Sequence, residues 1–362
     1  MAEKMKAVEI KEPGDYEYKT VDKAECPAGG LLIEVLACGL CGSDLRILAS
    51  GHDNISFPWI IGHEVSGKIV ETGAEYGGFW EKGDILAVAP VVYCGECEFC
   101  LNARYEFCDN IKELAQNWPG GFAEYMSIPE ESLKLGTIQR IPENLDPVQA
   151  AVAEPASSVI NAQEKGKVGF QDTVVIIGAG PIGCIHTSLA RAKGARQVIT
   201  ADIKENRLEK SESFGADITI NAENKDLVDE VKKITNGLGA DVVITANPVP
   251  ETQVQAINMA KKGGRILFFG GLPPDKSKPG IDTNTVHYRG LHVIGTTTFA
   301  PRHHLQALDL FRSGAIPGEK LITHKMPLSK FAEGVRLARA GKALKVVFLP
   351  GKENNKVQEN LI

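Results

Sequence analysis

No apolar run in the 362-residue sequence is long enough to cross a bilayer, and the opening residues, Met1 to Pro13, are charged and lack the apolar stretch of a secretion signal. The expectation is a cytoplasmic protein with no membrane partner. Basic clusters are missing as well. No Lys/Arg-rich run stands out and the formal net charge is -6, a balance that opposes binding to a phosphate backbone, so nucleic acid is not an expected partner. Internal repeats with periods of roughly 20 to 50 residues are also absent, which excludes solenoids and propellers. Cysteine is scarce, with 8 residues, but unevenly spread: four of them crowd into Cys94 to Cys108. In a reducing compartment such crowding points to metal before disulfides.

What is present is the material of a soluble globular protein. Hydrophobic residues at 43% and charged residues at 24% leave enough for a core, and 37 glycines imply many tight turns or close backbone approaches. At this length two domains are the natural reading. From Lys6 to about Pro142 short β segments are broken by Gly, Pro and Asp, among them Leu31 to Leu36, Val65 to Val70 and Ile85 to Pro90. After Glu154 the pattern becomes apolar strand, glycine turn and helix in alternation. Its strands read as Thr173 to Ile177, Gln197 to Ala201, Ala240 to Thr245, Gly264 to Phe269 and Leu291 to Gly295. Such alternation implies a parallel sheet with helices on both faces. Helices are expected over Arg302 to Arg312, stopping at Gly314, and Ser329 to Ala340, stopping at Gly341. A last strand, Lys345 to Leu349, is expected to return to the first domain, and Lys352 to Ile362 reads as a polar, frayed end. The expected fold is α/β, a mainly-β domain over 1–155 and 297–362 and a doubly wound parallel-sheet domain over 156–296.

The strand Thr173 to Ile177 runs directly into Gly178-Ala179-Gly180-Pro181-Ile182-Gly183, and helical spacing continues to Lys193. In a strand, Gly-x-Gly-x-x-Gly, helix unit the first glycine permits the turn. The second lets the backbone approach a pyrophosphate, and the third lets helix pack on strand. The helix N-terminus offers free N–H groups to the phosphate charge. Asp202 stands about 20 residues on, where an acid accepts the ribose hydroxyls and repels a 2'-phosphate, so NAD is favoured over NADP. The competing role for Asp202 is N-cap of a helix from Glu205 to Ser211, which leaves the glycines unexplained. Gly178, Gly180, Pro181, Ile182, Gly183, Asp202 and Arg207 are the candidate cofactor residues. Arg207 stacks near the adenine or is a plain solvated helix charge.

Cys94-x2-Cys97-x2-Cys100-x7-Cys108 lets four thiolates converge on one tetrahedral zinc, closing its shell and leaving no place for substrate. Two disulfides or an iron–sulfur cluster are the alternatives. A second constellation combines Cys41-Gly42-Ser43-Asp44, Gly62-His63-Glu64 and Glu154-Pro155. Singly these are modest, since a lone cysteine is usually a small buried hydrophobe. Together, thiolate, imidazole and carboxylate make a mixed set suited to a zinc that keeps one position open for Lewis-acid chemistry.

These motifs, in their order along nearly the whole chain, resemble the zinc-containing medium-chain dehydrogenases, on the branch of sorbitol (L-iditol) and threonine dehydrogenases. The resemblance implies a GroES-like catalytic domain, a Rossmann domain and a catalytic zinc in the cleft between them. It implies two Zn2+ per chain, one catalytic on Cys41, His63 and either Glu64 or Glu154, the other structural on Cys94, Cys97, Cys100 and Cys108. The implied activity is hydride transfer between a secondary alcohol, such as a polyol, sugar alcohol or its phosphate, and NAD, giving a ketone. Ser43 matches the hydroxyl that takes the alcohol proton in this family, the simpler alternative being that it caps the helix starting near Asp44. A homo-oligomer, tetramer or dimer, is implied by kinship, with the strand near His292 to Thr296 at the seam.

Departures from the family pattern bear on substrate and proton relay. Where relatives carry a relay histidine, five residues after the cysteine, this chain has Arg46, which does not titrate usefully. His52, water or the ribose remain as carriers, and the catalytic candidates are Ser43, Glu154 and Arg46. Asn161 stands where relatives tend to have histidine, and Tyr76 to Trp80 interrupts the tail of the Gly-His-Glu signature. Arg46 also invites an anionic substrate, a sugar phosphate or hydroxy acid, unless it pairs with a carboxylate or a cofactor phosphate. Pro301-Arg302-His303-His304 is a second positive candidate, with a helix start as its simpler role. Rival readings are a threonine-type or other hydroxy-acid dehydrogenase, a zinc-free quinone or enone reductase, and a non-enzymatic NAD-binding protein on the same fold. The reductase would need neither Cys41 nor the cysteine loop, and non-enzymatic proteins of this kind typically lose catalytic zinc ligands, whereas this chain retains Cys41, His63, Glu64 and Glu154.

Overall fold

A computed structural model describes residues 3–135, 138–351 and 358–359. The chain divides into two compact units, Met1–Ser157 with Phe299–Gly314 and Gly318–Ile362, and Ser158–Thr298 with Ala315–Pro317. The crossings thus fall two residues beyond 155/156 and 296/297, and three residues of the expected return segment side with the second unit.

The first unit is built on an eight-stranded sheet in which Leu31–Gly39 is central. It pairs antiparallel with Glu64–Thr72, Tyr125–Ile128 and Lys345–Leu349. Both faces of this strand are covered, which is why its apolar run is nearly unbroken and almost every residue is buried. Lys345–Leu349 is buried along its whole length, and its Phe348 joins Phe122 and Phe331 in a ring cluster with centroids 4.9 to 5.7 Å apart. Register then decides what meets at the strand ends. Gly39 lies opposite Glu64 on one side and Val347 on the other, so Cys41, Glu64 and Lys345 gather at one end of three adjacent strands. A side chain at Gly39 would crowd the Glu64 carboxylate, because a Cβ there would stand 2.0 Å from its Oε2.

The second unit is a six-stranded parallel sheet. Its spatial order is Ile218–Asn221, Gln197–Asp202, Thr173–Ile177, Ala240–Thr245, Ala260–Phe268 and His292–Gly295. The strand order reverses between Thr173–Ile177 and Ala240–Thr245, the topology of a doubly wound nucleotide-binding sheet. Thr173–Ile177 is buried throughout, as a central parallel strand must be. Helices Pro181–Ala192, Glu205–Glu212, Leu227–Ile234 and Pro250–Met259 connect the strands. Asp226 caps the third of these by accepting from Asp229 N at 2.9 Å, an interaction of about 1 kcal/mol.

Several expectations shift at their edges, the strand expected over Gly264 to Phe269 being Ala260–Phe268. The helix expected over Ser329 to Ala340 is Phe331–Arg339, preceded by a 3-10 turn at Leu328–Lys330. Of the polar end Lys352 to Ile362, only Gln358–Glu359 is among the described residues, and it pairs antiparallel with Ile322–Pro327; the rest lies outside them. Among the described residues no helix is long and apolar enough to cross a membrane.

Candidate functional site

Cys41 ends the turn out of the central strand and is the N-cap of the Gly42–Ser50 helix. Asp44, in the first turn, accepts from Cys41 N at 2.9 Å with Oδ2 and sets Oδ1 3.3 Å from His63 Nδ1. One buried carboxylate therefore fixes both the thiol-bearing turn and the imidazole. Burial works against the charged ring of His63, but the Asp44 carboxylate and Cys41 together more than offset it, and the pKa stands well above that of free histidine. A carboxylate on one ring nitrogen leaves the other as the metal-facing donor. His63 Nε2 lies 3.5 Å from Ser43 Oγ. Ser43 is not the cap: the helix begins one residue before it, so the capping alternative does not hold.

Donor atoms of Cys41, His63 and Glu64 all lie within 4.8 Å of one another, the spacing of ligands around one ion. Glu64 is fully buried and is gripped by Lys345, whose Nζ donates to Oε1 at 2.7 Å, Oε2 at 2.8 Å and Leu40 O at 3.2 Å. Lys345 escaped the sequence reading, where a lysine opening an apolar strand looks like a solvent-facing end. Glu154 starts the Ala153–Lys165 helix. Burial pushes its pKa up to about 7, with His63 acting against and Glu64 in favour, and among the described residues it has no cation partner.

Arg46 lies on the same helix, exposed, and among the described residues no carboxylate pairs with it. His52 is exposed beyond the helix end, its Nδ1 accepting from Asn54 N at 3.3 Å. His303 and His304 do not form a positive patch. Both are buried in the Pro301–Arg312 helix; burial pushes His304 down to about 3, leaving it neutral against Gln139. In the interrupted signature, Tyr76 Oη accepts from Trp80 N at 3.0 Å, and Arg140 covers the Trp80 ring at 5.2 Å.

The four-cysteine loop closes on itself. Cys94 Sγ lies 3.5 Å from Cys108 Sγ and 3.9 Å from Cys100 Sγ, and all four sulfurs lie within 4.8 Å. Thiolates at a Zn–S distance near 2.3 Å in a tetrahedron stand about 3.8 Å apart, whereas a disulfide is about 2.05 Å. All eight cysteines are free. The backbone amides of Glu96 and Cys97 draw the Cys94 thiol down to about 6, while burial pushes Cys100 up to about 12.

In the second unit the glycine turn has the geometry a pyrophosphate needs. Gly178 has φ +113°, which side chains resist, and a Cβ at Gly183 would lie 1.8 Å from Gly178 O. Gly180, the N-cap of the helix, has nothing within 4 Å of its missing Cβ, so the space before Pro181 and Ile182 is open to a ligand. Asp202 ends the neighbouring strand. Its Oδ2 accepts from Ala179 N at 2.8 Å and its Oδ1 from Lys204 N at 3.0 Å, with Arg207 at 3.8 Å. The cap of the following helix is Lys204, not Asp202.

Residues 27–137 match the model of the alcohol dehydrogenase GroES-like domain, and residues 181–313 that of the zinc-binding dehydrogenase domain. An erythritol/L-threitol dehydrogenase of Mycolicibacterium smegmatis is 33% identical, the match spanning 96% of this chain and 98% of that protein. An L-threonine 3-dehydrogenase of Pyrococcus horikoshii is 34% identical over 96% and 99%. Among solved structures, a zinc-binding dehydrogenase of Sinorhizobium meliloti 1021 bound to NADP superposes with a TM-score of 0.88 at 30% identity, covering 96% of this chain and 100% of that one. The chain therefore belongs to the zinc-containing medium-chain alcohol dehydrogenases, on the sorbitol and threonine dehydrogenase branch, and is an oxidoreductase that works on alcohols with zinc and a nicotinamide cofactor.

Proposed function

We propose that this enzyme oxidises a secondary hydroxyl of a polyol or sugar alcohol to a ketone with NAD, using a catalytic zinc on Cys41, His63 and a glutamate. The convergence of the Cys41 and His63 donors within 4.8 Å, beside the Ser43 hydroxyl and with buried Glu154 close enough for His63 to act on its carboxyl, carries this reading. When bound, the zinc acidifies the substrate hydroxyl and the nicotinamide takes up the hydride. Ser43 Oγ receives the hydroxyl proton and passes it outward, since Arg46 cannot titrate in the next position. Asp44 holds His63 in the tautomer that leaves Nε2 free.

Proximity alone favours Glu64 as third ligand, but its two oxygens are held by Lys345. Leaving that buried ammonium unpaired costs on the order of 3–5 kcal/mol. Glu154, which His63 acts on and which has no cation partner among the described residues, is therefore the ligand we assign. The sulfur spacing of Cys94, Cys97, Cys100 and Cys108 supports a second, structural zinc, giving two per chain. Asp202 supports NAD over NADP, its carboxylate repelling a 2'-phosphate.

Arg46 favours a second reading of substrate class. Exposed and without a carboxylate partner among the described residues, it suits a phosphorylated sugar alcohol or a hydroxy acid. The edge strand His292–Gly295, with Val293 42% exposed, supports a homo-oligomer, tetramer or dimer, joined there. Eight free cysteines suit a cytoplasmic setting.

The test is NADH formation over a panel of alcohols and sugar alcohols, phosphorylated and not, alongside metal analysis. Zinc-free protein with activity indifferent to chelator would defeat the main reading. Equal kinetics on sorbitol and sorbitol 6-phosphate would remove the anion preference.

A further inference from the structure

We propose that Asn161 is a positioning residue for the nicotinamide half of the cofactor, acting through the turn Thr296 to Thr298; the inference rests on the cofactor reading above. In a sheet whose order reverses between Thr173–Ile177 and Ala240–Thr245, a dinucleotide lies across the carboxyl ends of the strands. The glycine turn takes the pyrophosphate and Asp202, on one side, the adenosine ribose. The other half then extends over the carboxyl ends of Ala240–Thr245, Ala260–Phe268 and His292–Gly295. Thr296 to Thr298 follow the last of these directly.

Three observations single out this turn. Thr298 has φ +43°, a left-handed conformation that a β-branched residue resists and that its surroundings must enforce. Asn161, 2% exposed on the Ala153–Lys165 helix, does so: its Nδ2 donates to Thr297 O at 3.0 Å and Thr298 O at 2.9 Å. Thr296 Oγ1 is buried with no hydrogen-bond partner among the described residues, a polar atom that burial penalises unless a ligand completes it. A strained turn, clamped from behind and presenting an unanswered hydroxyl, is built to hold something at the carboxyl end of the sheet. Two hydrogens on one nitrogen reach two carbonyls, which neither nitrogen of an imidazole can do.

The experiment compares binding of NADH with binding of ADP-ribose, which lacks the nicotinamide, to zinc-loaded full-length protein and its Asn161→Asp, Asn161→His and Thr296→Val variants. Asn161→Asp replaces two donated bonds by repulsion and should weaken NADH about tenfold while leaving ADP-ribose within about twofold. Asn161→His, keeping one donor, should fall between. Thr296→Val, nearly isosteric, should show the same one-sided loss. The hydride isotope effect on kcat should rise in step, since a loosely held ring makes the chemical step limiting. Equal losses for both ligands, or no loss for either, would overturn the inference even where NADH binds the parent well. If Asn161→Asp does not fold, the histidine and valine variants carry the same comparison. A parent that binds neither ligand defeats the cofactor reading and the inference together.

Discussion

Lys345 Nζ donates to both carboxylate oxygens of Glu64, at 2.7 and 2.8 Å, where the two side chains are 4% and 0% exposed. Burying two charges is costly, and what returns the cost is geometry: two short bonds, with a third to Leu40 O. Removing one partner leaves the other charge stranded. Lys345→Met should therefore cost on the order of 3–5 kcal/mol, and the double variant Glu64→Gln/Lys345→Met should recover much of it. Thermal melts of the single and double variants decide. A single variant as stable as the parent would mean the pair contributes nothing.

The same pair separates the roles of the two glutamates. On the proposed assignment of two zinc ions per chain, and with Glu64 committed to Lys345, Glu154→Gln should remove one of them and most activity, with little loss of fold. Glu64→Gln should destabilise the protein yet keep two ions in whatever remains folded. Atomic absorption on purified variants reads this directly. The opposite pattern of metal loss would give the ligand position to Glu64. Cys100→Ser is the control: it should release the other ion and lower the melting temperature while the metal at Cys41 and His63 stays.

Much of this architecture was legible because apolar runs buried on both faces leave clear ends. The limits of Thr173–Ile177, Ala240–Thr245 and Lys345–Leu349 coincide with the strands read from sequence. Residues whose meaning depends on register were not legible. Lys345 becomes a partner of Glu64 only because its strand lies beside Leu31–Gly39, which lies beside Glu64–Thr72. Asp44 hid behind Ser43, the more conspicuous cap former, although Asp44 makes the bond that holds Cys41. His303 and His304 looked like charge in a polar stretch. A helix that turns them inward makes one a hydrogen-bond acceptor from Ala300 N and the other a neutral partner of Gln139.

Two buried histidines set an acid limit on stability. Burial lowers both His186 and His304 to about 3 from an ordinary 6.5. A folded-state pKa below the unfolded one means that the unfolded chain binds the proton first. The stability these residues hold is complete above pH 6.5 and is lost as pH falls from there toward 3, by up to about 1.4 kcal/mol per pH unit for each residue. His304→Gln, which cannot titrate, should flatten the dependence of unfolding free energy on pH between 6 and 4 by about one proton. Denaturant melts at several pH values measure the slope; an unchanged slope would show that His304 is not neutral in the folded protein.

Asp202 carries two duties that a substitution can separate. Its carboxylate accepts from Ala179 N inside the glycine turn and from Lys204 N beyond it, and in the proposed reading its charge opposes a 2'-phosphate. Asp202→Asn keeps the shape and one accepting oxygen but removes the charge. NAD affinity should fall about tenfold, through weaker bonds to the ribose and a looser turn. NADP should gain, because the repulsion has gone while Lys204 and Arg207 stay nearby as cations. The ratio of kcat/KM for NAD over NADP is the readout, since turn damage alone lowers both cofactors alike and leaves the ratio where it was. A ratio unchanged in Asp202→Asn would assign the carboxylate to holding the turn and leave cofactor choice to other residues.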